Sequence, residues 1–186
     1  MKLKRLLALM LALIMALSLV ACKKPAVPAE PDQSKAPVSE QEKPASEAPE
    51  DAPEIKDVTG KFEVAEFKIK VNGKELKTAD FKDCSVYKIA TSAVNKTGTV
   101  KEDTYSGYAI KDVLKVAGAP DATKITVKAS DGYEVDFEIT EENAPYILLA
   151  FEKNKEVAED GTLWVAPCLE KVTQNYCKSV VEIIVK

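Results

Sequence analysis

The chain has 186 residues, with 26 Lys and Arg against 30 Asp and Glu, and it contains 4 Cys, 7 Gly and 10 Pro but no His. This length predicts one ordinary domain with appendages. The lack of histidine excludes Ser-His-Asp and Cys-His nucleophile pairs, imidazole zinc sites and haem with a histidine ligand.

Residues 1–21 have the pattern of a secretory signal peptide: Lys2, Lys4 and Arg5 precede the apolar run LLALMLALIMALSLVA. The run ends in LVAC, which resembles the bacterial lipobox, where the peptide is cut before a Cys whose thiol is diacylated. We therefore predict that residues 1–21 are removed and that Cys22 is lipidated, so that the protein is held on the extracytoplasmic side of the cell membrane. The alternative is a transmembrane anchor, since 16 apolar residues approach the ~20 needed to span a bilayer.

Residues 22–57 form the predicted linker, because residues 23–57 hold 7 of the 10 prolines and lack glycine and aromatic residues. Such a segment cannot bury enough apolar surface to offset its ordering entropy, so we expect a disordered, extended spacer up to about 100 Å long. A binding role for the prolines is the alternative. Without residues 1–21 the chain keeps 23 basic and 30 acidic side chains, which argues against nucleic acid as a partner.

Residues 58–186 are the predicted domain, since they contain every glycine, every Phe and Tyr, and Trp164. Asn72-Gly73 predicts a tight hairpin between strands at 67–71 and 74–76. A strand is expected at 85–90, followed by a polar loop at 92–104 that is either a rim loop or a ligand contact. Apolar residues at i, i+3, i+4 and i+7 predict a helix at 109–117, which Gly118 ends.

The second half of the domain predicts more strands. A hairpin is expected around residues 130–132, between strands at 125–127 and 133–139. Further strands are expected at 146–151, 163–166 and 176–185. The predicted class is therefore α+β, a strand-dominated mixed sheet with few short helices.

Three cysteines remain if Cys22 is lipidated. Cys168 and Cys177 flank what reads as the loop of a hairpin, which would bring them close enough for a disulfide. Two alternatives stay open: all three thiols are buried apolar side chains, or Cys84 is a metal ligand or nucleophile. A thiolate needs a nearby cation or helix N-terminus, and the sequence shows neither beside Asp83-Cys84.

Several short motifs follow one another in order along the domain. They are YSGYAIKDVL at 105–114, AG at 117–118, SDGY at 130–133, LLAFEKN at 148–154 and WVAP at 164–167. This series resembles the molybdopterin-binding domain of the sulfite-oxidase-like oxidoreductases over residues 86–186. The resemblance implies that domain's fold and a cofactor cleft.

The chain departs from this family at the residues that hold the cofactor. Ser92 stands where the family has the molybdenum-ligating Cys, and a hydroxyl is a harder ligand that is not ionised at neutral pH. The family's histidine and arginine contacts to the pterin phosphate are also missing around residues 160–163. We therefore expect no metal and no catalytic residue here, with molybdopterin as the one cofactor that the resemblance leaves open.

Three functions are compared. The first is a binding module for an unknown small ligand or envelope protein in the former cofactor cleft. The second is a molybdopterin-dependent oxidoreductase with Cys84 as a displaced ligand and lysines 96, 101 or 178 supplying positive charge. The third is a purely structural spacer, which has no need of so many buried strands.

The candidate ligand site brings together three segments of the domain. Gly107 allows close backbone approach, and the helix after it offers free N–H groups to an anion. In the alternative, purely structural interpretation, Ser106 caps the helix and Asp131 forms part of a hairpin turn. The candidate residues are Ser92, Asn95, Tyr105, Ser106, Gly107, Asp131 and Tyr133.

Overall fold

The computed structural model describes residues 51–158 and 160–186. The predicted signal peptide, Cys22 and most of the predicted linker lie outside these residues. Twelve strands and one α-helix are described, together with three short 3₁₀ turns. In chain order they are β1 (Ile55–Asp57), β2 (Lys68–Val71), β3 (Lys74–Lys77), a 3₁₀ turn (Thr78–Phe81), β4 (Tyr87–Val94), β5 (Val100–Ala109), α1 (Ile110–Ala117), β6 (Lys124–Ala129), β7 (Glu134–Glu138), a 3₁₀ turn (Ala144–Tyr146), β8 (Ile147–Lys153), β9 (Glu156–Val157), β10 (Trp164–Pro167), a 3₁₀ turn (Thr173–Asn175), β11 (Cys177–Lys178) and β12 (Val180–Val185).

The strands form two sheets. Sheet A has seven strands in the order β1-β4-β5-β8-β10-β11, with β9 added beside β8. Sheet B has five strands in the order β3-β2-β12-β6-β7. The named strand pairs are antiparallel except for β2 and β12, which run parallel.

The predicted α+β class is wrong, because the fold is mostly β: 46% of the described residues are in strands and 13% in helices. The single predicted helix does form, with buried Ile110, Val113 and Leu114 facing the core. Gly118 ends it at φ 84°, a left-handed conformation that glycine adopts without strain. The other helical segments are 3₁₀ turns of three or four residues, too short to form a helical layer.

The largest difference from the sequence analysis lies in residues 92–104. The polar loop predicted there is instead the outer part of a long hairpin, in which β4 and β5 pair from Tyr87↔Gly107 to Val94↔Val100. Asn95 shapes the turn: its Oδ1 accepts hydrogen bonds from the backbone N–H groups of Thr97 and Thr99, both at 2.9 Å. Threonine, serine and lysine are tolerated in these strands because the outer part of the hairpin is largely exposed: β4 buries only alternate side chains, and residues 100–104 of β5 bury none.

The C-terminal strand predicted at 176–185 is divided in two. Ser179 adopts φ 56°, which breaks the extended backbone between β11 in sheet A and β12 in sheet B. The chain thereby crosses from one sheet to the other within one residue. The hairpins predicted around Asn72-Gly73 and residues 130–132 are confirmed, and both turn residues of the first have positive φ, 48° and 77°.

Two apolar clusters hold the sheets. The larger combines side chains of both sheets with α1, among them Phe67, Phe81, Tyr108 and Phe151. The smaller lies on the other face of sheet A and includes Ile89, Leu148 and Ala166, with aromatic side chains at its border. Sheet A is therefore apolar on both faces, which fits the fully buried pattern of β8.

The N-terminal strand starts before the boundary that we predicted at residue 57. β1 pairs with β4 from Ile55↔Ile89 to Asp57↔Tyr87, so the domain includes at least the last three residues of the predicted linker. Among the described residues, no helix is long and apolar enough to cross a membrane.

Candidate functional site

A buried charged group lies at the centre of sheet A. Ser106 is fully buried, and its Oγ donates to Glu152 Oε1 at 2.9 Å. Lys88 Nζ lies 3.3 Å from the same oxygen and 5.9 Å from the centre of the Phe62 ring. The Glu152 side chain is 4% exposed and the Lys88 side chain 27%. Three polar residues thus satisfy one another inside the sheet, and the Ser106 hydroxyl is closed to any ligand.

Gly107 does allow a close approach, but of the neighbouring strand. A Cβ built on it would lie 2.2 Å from the Leu149 carbonyl oxygen and 2.5 Å from Ala150 Cα. The β5–β8 register shifts between Ser106 and Gly107, which marks a bulge. The helix begins only at Ile110, after Ala109 as its N-cap, so Gly107 does not lead directly into it and Ser106 does not cap it.

Tyr105 lies in the smaller apolar cluster, where it is 3% exposed. Its ring centre is 5.6 Å from that of Tyr176. Burial raises the pKa of both phenols well above their ordinary value. The Tyr176 hydroxyl is buried without a hydrogen bond that meets the distance and angle limits among the described residues, although Thr91 lies beside it and opposes the rise of its pKa.

The remaining candidate residues lie elsewhere on the surface. Ser92 is exposed on β4, and Asn95 is engaged in its own turn. Asp131 accepts a hydrogen bond from Tyr133 N–H in the β6–β7 turn, and the Tyr133 hydroxyl donates to the Gln174 carbonyl. The structure therefore does not bring the predicted residues into one cleft. They belong to two hairpin tips and the interior of sheet A.

The cysteines do not form the predicted disulfide, and all three in the described residues are free. Cys177 pairs with Val165 in register, and both side chains belong to the larger cluster. Cys168 packs with Ala166 in the smaller cluster, on the other face of sheet A. Because the two side chains point to opposite faces, the sheet itself keeps the thiols apart.

Burial disfavours the thiolate form of each cysteine. It raises the pKa of Cys168 to about 12 and that of Cys177 to about 11. The pKa of Cys84 is raised first by burial and then by the nearby carboxylates of Asp112 and Asp83. Lys115 is a nearby cation, but it lowers the pKa less than burial or either carboxylate raises it, so the surroundings of Cys84 disfavour a reactive thiolate.

The sequence analysis missed a cavity of about 240 Å³ between β7, the 3₁₀ turn at 144–146 and the chain after β10. Its lining combines apolar side chains with carboxylates. Three separate segments of the chain supply them, so no local motif predicts the cavity. The lining residues are Asp136, Phe137, Glu138, Asn143, Tyr146, Ile147, Pro167, Leu169 and Glu170.

The carboxylates of this cavity differ in their surroundings. Asp136 accepts hydrogen bonds from Thr126 Oγ at 2.6 Å and from Lys186 Nζ at 3.1 Å. These contacts, with Lys124, lower the pKa of Asp136 to about 2. Glu170 has one side-chain donor, Asn175 Nδ2 at 2.6 Å, and its burial outweighs that bond and raises its pKa. Glu138 is exposed. Positive charge is therefore supplied to Asp136 but not to the other two.

A second cavity of about 220 Å³ is lined by Ile55, Tyr87, Ala109, Lys111, Asp112 and Pro145. Within the described residues, no three Cys, Asp or Glu side chains are grouped so that they could hold a metal ion.

No protein-family model matches the chain, and no curated protein is similar enough to count as a relative.

Proposed function

We propose that the protein is a lipoprotein held on the extracytoplasmic side of the cell membrane through Cys22, and that its β domain binds a small ligand or an envelope protein. The lipobox-like end of the apolar run supports the anchor. The predicted linker supports a domain that works at some distance from its anchor. The resemblance to molybdopterin-binding domains remains a sequence prediction, and no step of the proposal depends on it.

The observation that carries the binding role is the acidic cavity beside β7. Two of its carboxylates, Glu138 and Glu170, have no salt bridge among the described residues. Apolar side chains such as Leu169 and Ile147 complete the lining. This combination favours an alkylammonium group, whose charge meets the carboxylates while its carbon chain covers the apolar wall.

The cavity volume limits the ligand. About 240 Å³ is less than the roughly 300–1,000 Å³ of typical small-molecule pockets. The site therefore suits a small amine or a single lysine side chain of a partner protein. The two sources share one chemistry, and a titration with free amine tests the chemistry itself.

The test is a titration of the full chain with n-butylammonium, followed by amide chemical shifts of the cavity residues. Butyrate, with the same length and the opposite charge, is the ligand control. We expect saturable shifts with the amine only, and their loss in Glu138→Gln. The matched control is Glu141→Gln, since Glu141 is exposed but does not line the cavity. Equal shifts with butyrate, or no shifts at all, would contradict the cavity as a cation site.

The titration should also depend on pH. Because burial raises the pKa of Glu170 above 4.5, its charge is lost as the pH falls through that raised value. Affinity for the amine should therefore fall on acidification, and the fall should begin at a higher pH than the ordinary pKa of a glutamate. An affinity that does not change down to the ordinary pKa of a glutamate would exclude Glu170 as a partner of the ligand.

Elemental analysis tests the competing oxidoreductase. Protein exported by its own cell and purified from membranes should carry molybdenum and pterin far below one per chain. One pterin and one molybdenum per chain would overturn the proposal in favour of a molybdopterin enzyme.

A further inference from the structure

The outer end of the β4–β5 hairpin carries exposed branched side chains. Val94 and Val100 face each other across the hairpin, and Val172 forms a parallel bridge with Val94. Val94 N–H donates to the Lys171 carbonyl at 2.8 Å, which fixes the two segments side by side. The three valines are 38%, 56% and 44% exposed. We call residues 94–101 together with 171–172 the valine tip.

The valine tip is also basic. Lys96, Lys101 and Lys171 are exposed, and none of them forms a salt bridge with another described residue. The tip itself contains no carboxylate, although Glu102 and Glu170 border it. Residues 58–186 as a whole carry 18 Lys against 21 Asp and Glu. The apolar tip is therefore a positive region on an acidic domain.

The direction of β1 relates the tip to the predicted anchor. β4 runs toward the tip, and β1 pairs with it antiparallel, with Ile55 opposite Ile89. The chain thus enters β1 from the end of sheet A at which the valine tip lies. The predicted linker, which precedes β1 in the sequence, therefore joins the domain at that end.

We propose that the valine tip docks the domain on an anionic bilayer surface. Exposed aliphatic side chains that enter the headgroup region, with lysines that reach anionic lipid, are the two parts of such interfacial contacts. This inference rests on the lipid anchor of the proposed function, because a contact of three valines is too small to hold a protein at a membrane by itself. Its role is to orient a domain that the anchor already keeps close, where the effective concentration of the bilayer is high.

The test uses the full lipidated chain reconstituted into vesicles of phosphatidylglycerol and phosphatidylcholine, or of phosphatidylcholine alone. The partly exposed thiol is removed by Cys84→Ser, and Thr97→Cys carries an environment-sensitive fluorophore at the tip. The matched control carries the same fluorophore at Ser130→Cys, on the β6–β7 turn. We expect a blue-shifted emission that iodide does not quench for residue 97 in the anionic vesicles, and an accessible, polar emission for residue 130.

Two variants test the parts of the tip. Val94→Ser with Val100→Ser should abolish the shift at residue 97, whereas Val181→Ser, at an exposed valine of β12, should leave it unchanged. Each Lys→Gln change at residue 96, 101 or 171 should reduce the docking equilibrium about fivefold, since one lysine near an anionic surface contributes about a factor of five in binding.

The outcomes separate the two proposals. If Cys22 carries no acyl chain and the protein does not stay with the vesicles, the proposed function fails. If the protein stays with the vesicles but residue 97 is as accessible as residue 130, the anchor holds and the docking surface is overturned. A shift at residue 97 that occurs without vesicles, and grows with protein concentration, would also overturn it by showing that a second copy covers the tip.

Discussion

The two halves of the β4–β5 hairpin differ in the burial and in the role of their side chains. In the inner half, residues 87–89 and 105–109, the strands lie between β1 and β8 and bury the group of Ser106, Glu152 and Lys88. In the outer half, residues 90–94 and 100–104, the strands extend beyond these neighbours. Alternate side chains of β4 are exposed there, and in β5 residues 100–102 are all exposed. The candidate residues of the inner half maintain the fold. The outer half and the cavity beside β7, in contrast, present side chains that a ligand or surface can reach.

We expect the largest effect on stability from a substitution at Gly107, where β8 leaves no room for a Cβ on β5. Gly107→Ala places a methyl group 2.2 Å from a backbone oxygen that cannot rotate away, so we expect a loss of about 3 kcal/mol or more in the free energy of unfolding. Urea denaturation measures it. Gly132→Ala is the control, because nothing lies within 4 Å of its Cβ and only its φ of 87° opposes the change, at about 1 kcal/mol. Equal effects of the two changes would mean that β5 and β8 are not this close.

The second largest loss of stability is expected when Glu152 loses the lysine that pairs with its buried charge. Lys88→Met leaves Glu152 inside the sheet with Ser106 as its remaining side-chain partner. Because Lys88 keeps a quarter of its side chain in water, we expect about 2 kcal/mol, less than the full cost of breaking a buried pair. Lys70→Met removes a more exposed partner of Glu182 and should cost less than about 1 kcal/mol. The two variants are compared by urea midpoint, and a Lys88→Met protein as stable as the parent would show that Glu152 is solvated.

A smaller effect is expected at the outer half. Asn95→Ala removes three hydrogen bonds that Oδ1 accepts, two from backbone N–H groups and one from the Thr97 hydroxyl. The turn is exposed, so the loss should be about 1 kcal/mol. Ser92→Ala, on β4 just before this turn and without a hydrogen bond from its side chain, should change the stability by less than about 0.5 kcal/mol. If Ser92→Ala is the more damaging change, the hairpin is not paired as described.

The smallest effect, and the one with a diagnostic sign, concerns Tyr176. Its buried hydroxyl has no hydrogen bond among the described residues, so Tyr176→Phe should leave the stability unchanged or raise it by up to about 1 kcal/mol. Tyr133→Phe removes a donor to the Gln174 carbonyl and should lower it slightly. Thermal unfolding compares them, and a clear loss for Tyr176→Phe would show that its hydroxyl bonds to a neighbour such as Thr91.

Local signals in the sequence predicted local structure well. Asn72-Gly73, Gly118 and the turn at 130–132 each have one backbone conformation that strongly favours their residue types, and the hairpins and the helix formed where expected. Alternating apolar residues likewise indicated most inner strands. The strands at 92–94 and 100–109 were missed. The outer residues, 92–94 and 100–104, form an exposed hairpin edge with the composition of a loop, and residues 105–107 were interpreted as a turn into the helix.

The candidate site could not be predicted in the same way, since it depends on which strands become neighbours. The pairing of β5 with β8 turns Ser106 inward onto Glu152, 46 residues later in the chain. The register of β11 against β10 places Cys177 with Val165 on one face of sheet A, and so separates it from Cys168. The cavity beside β7 is lined by three segments that are distant in the sequence. The order of the motifs along the chain does not predict any of these contacts between distant segments.

The most direct test of the account is the chemical state of residue 22 in protein taken from its own membranes, because the anchor, the tether and the docking of the valine tip all depend on it. Mass spectrometry of the N-terminal peptide should show a chain that begins at Cys22 with a diacylglyceryl group on its thiol. A chain that retains residues 1–21, or that begins at another residue and carries no lipid, would contradict the account.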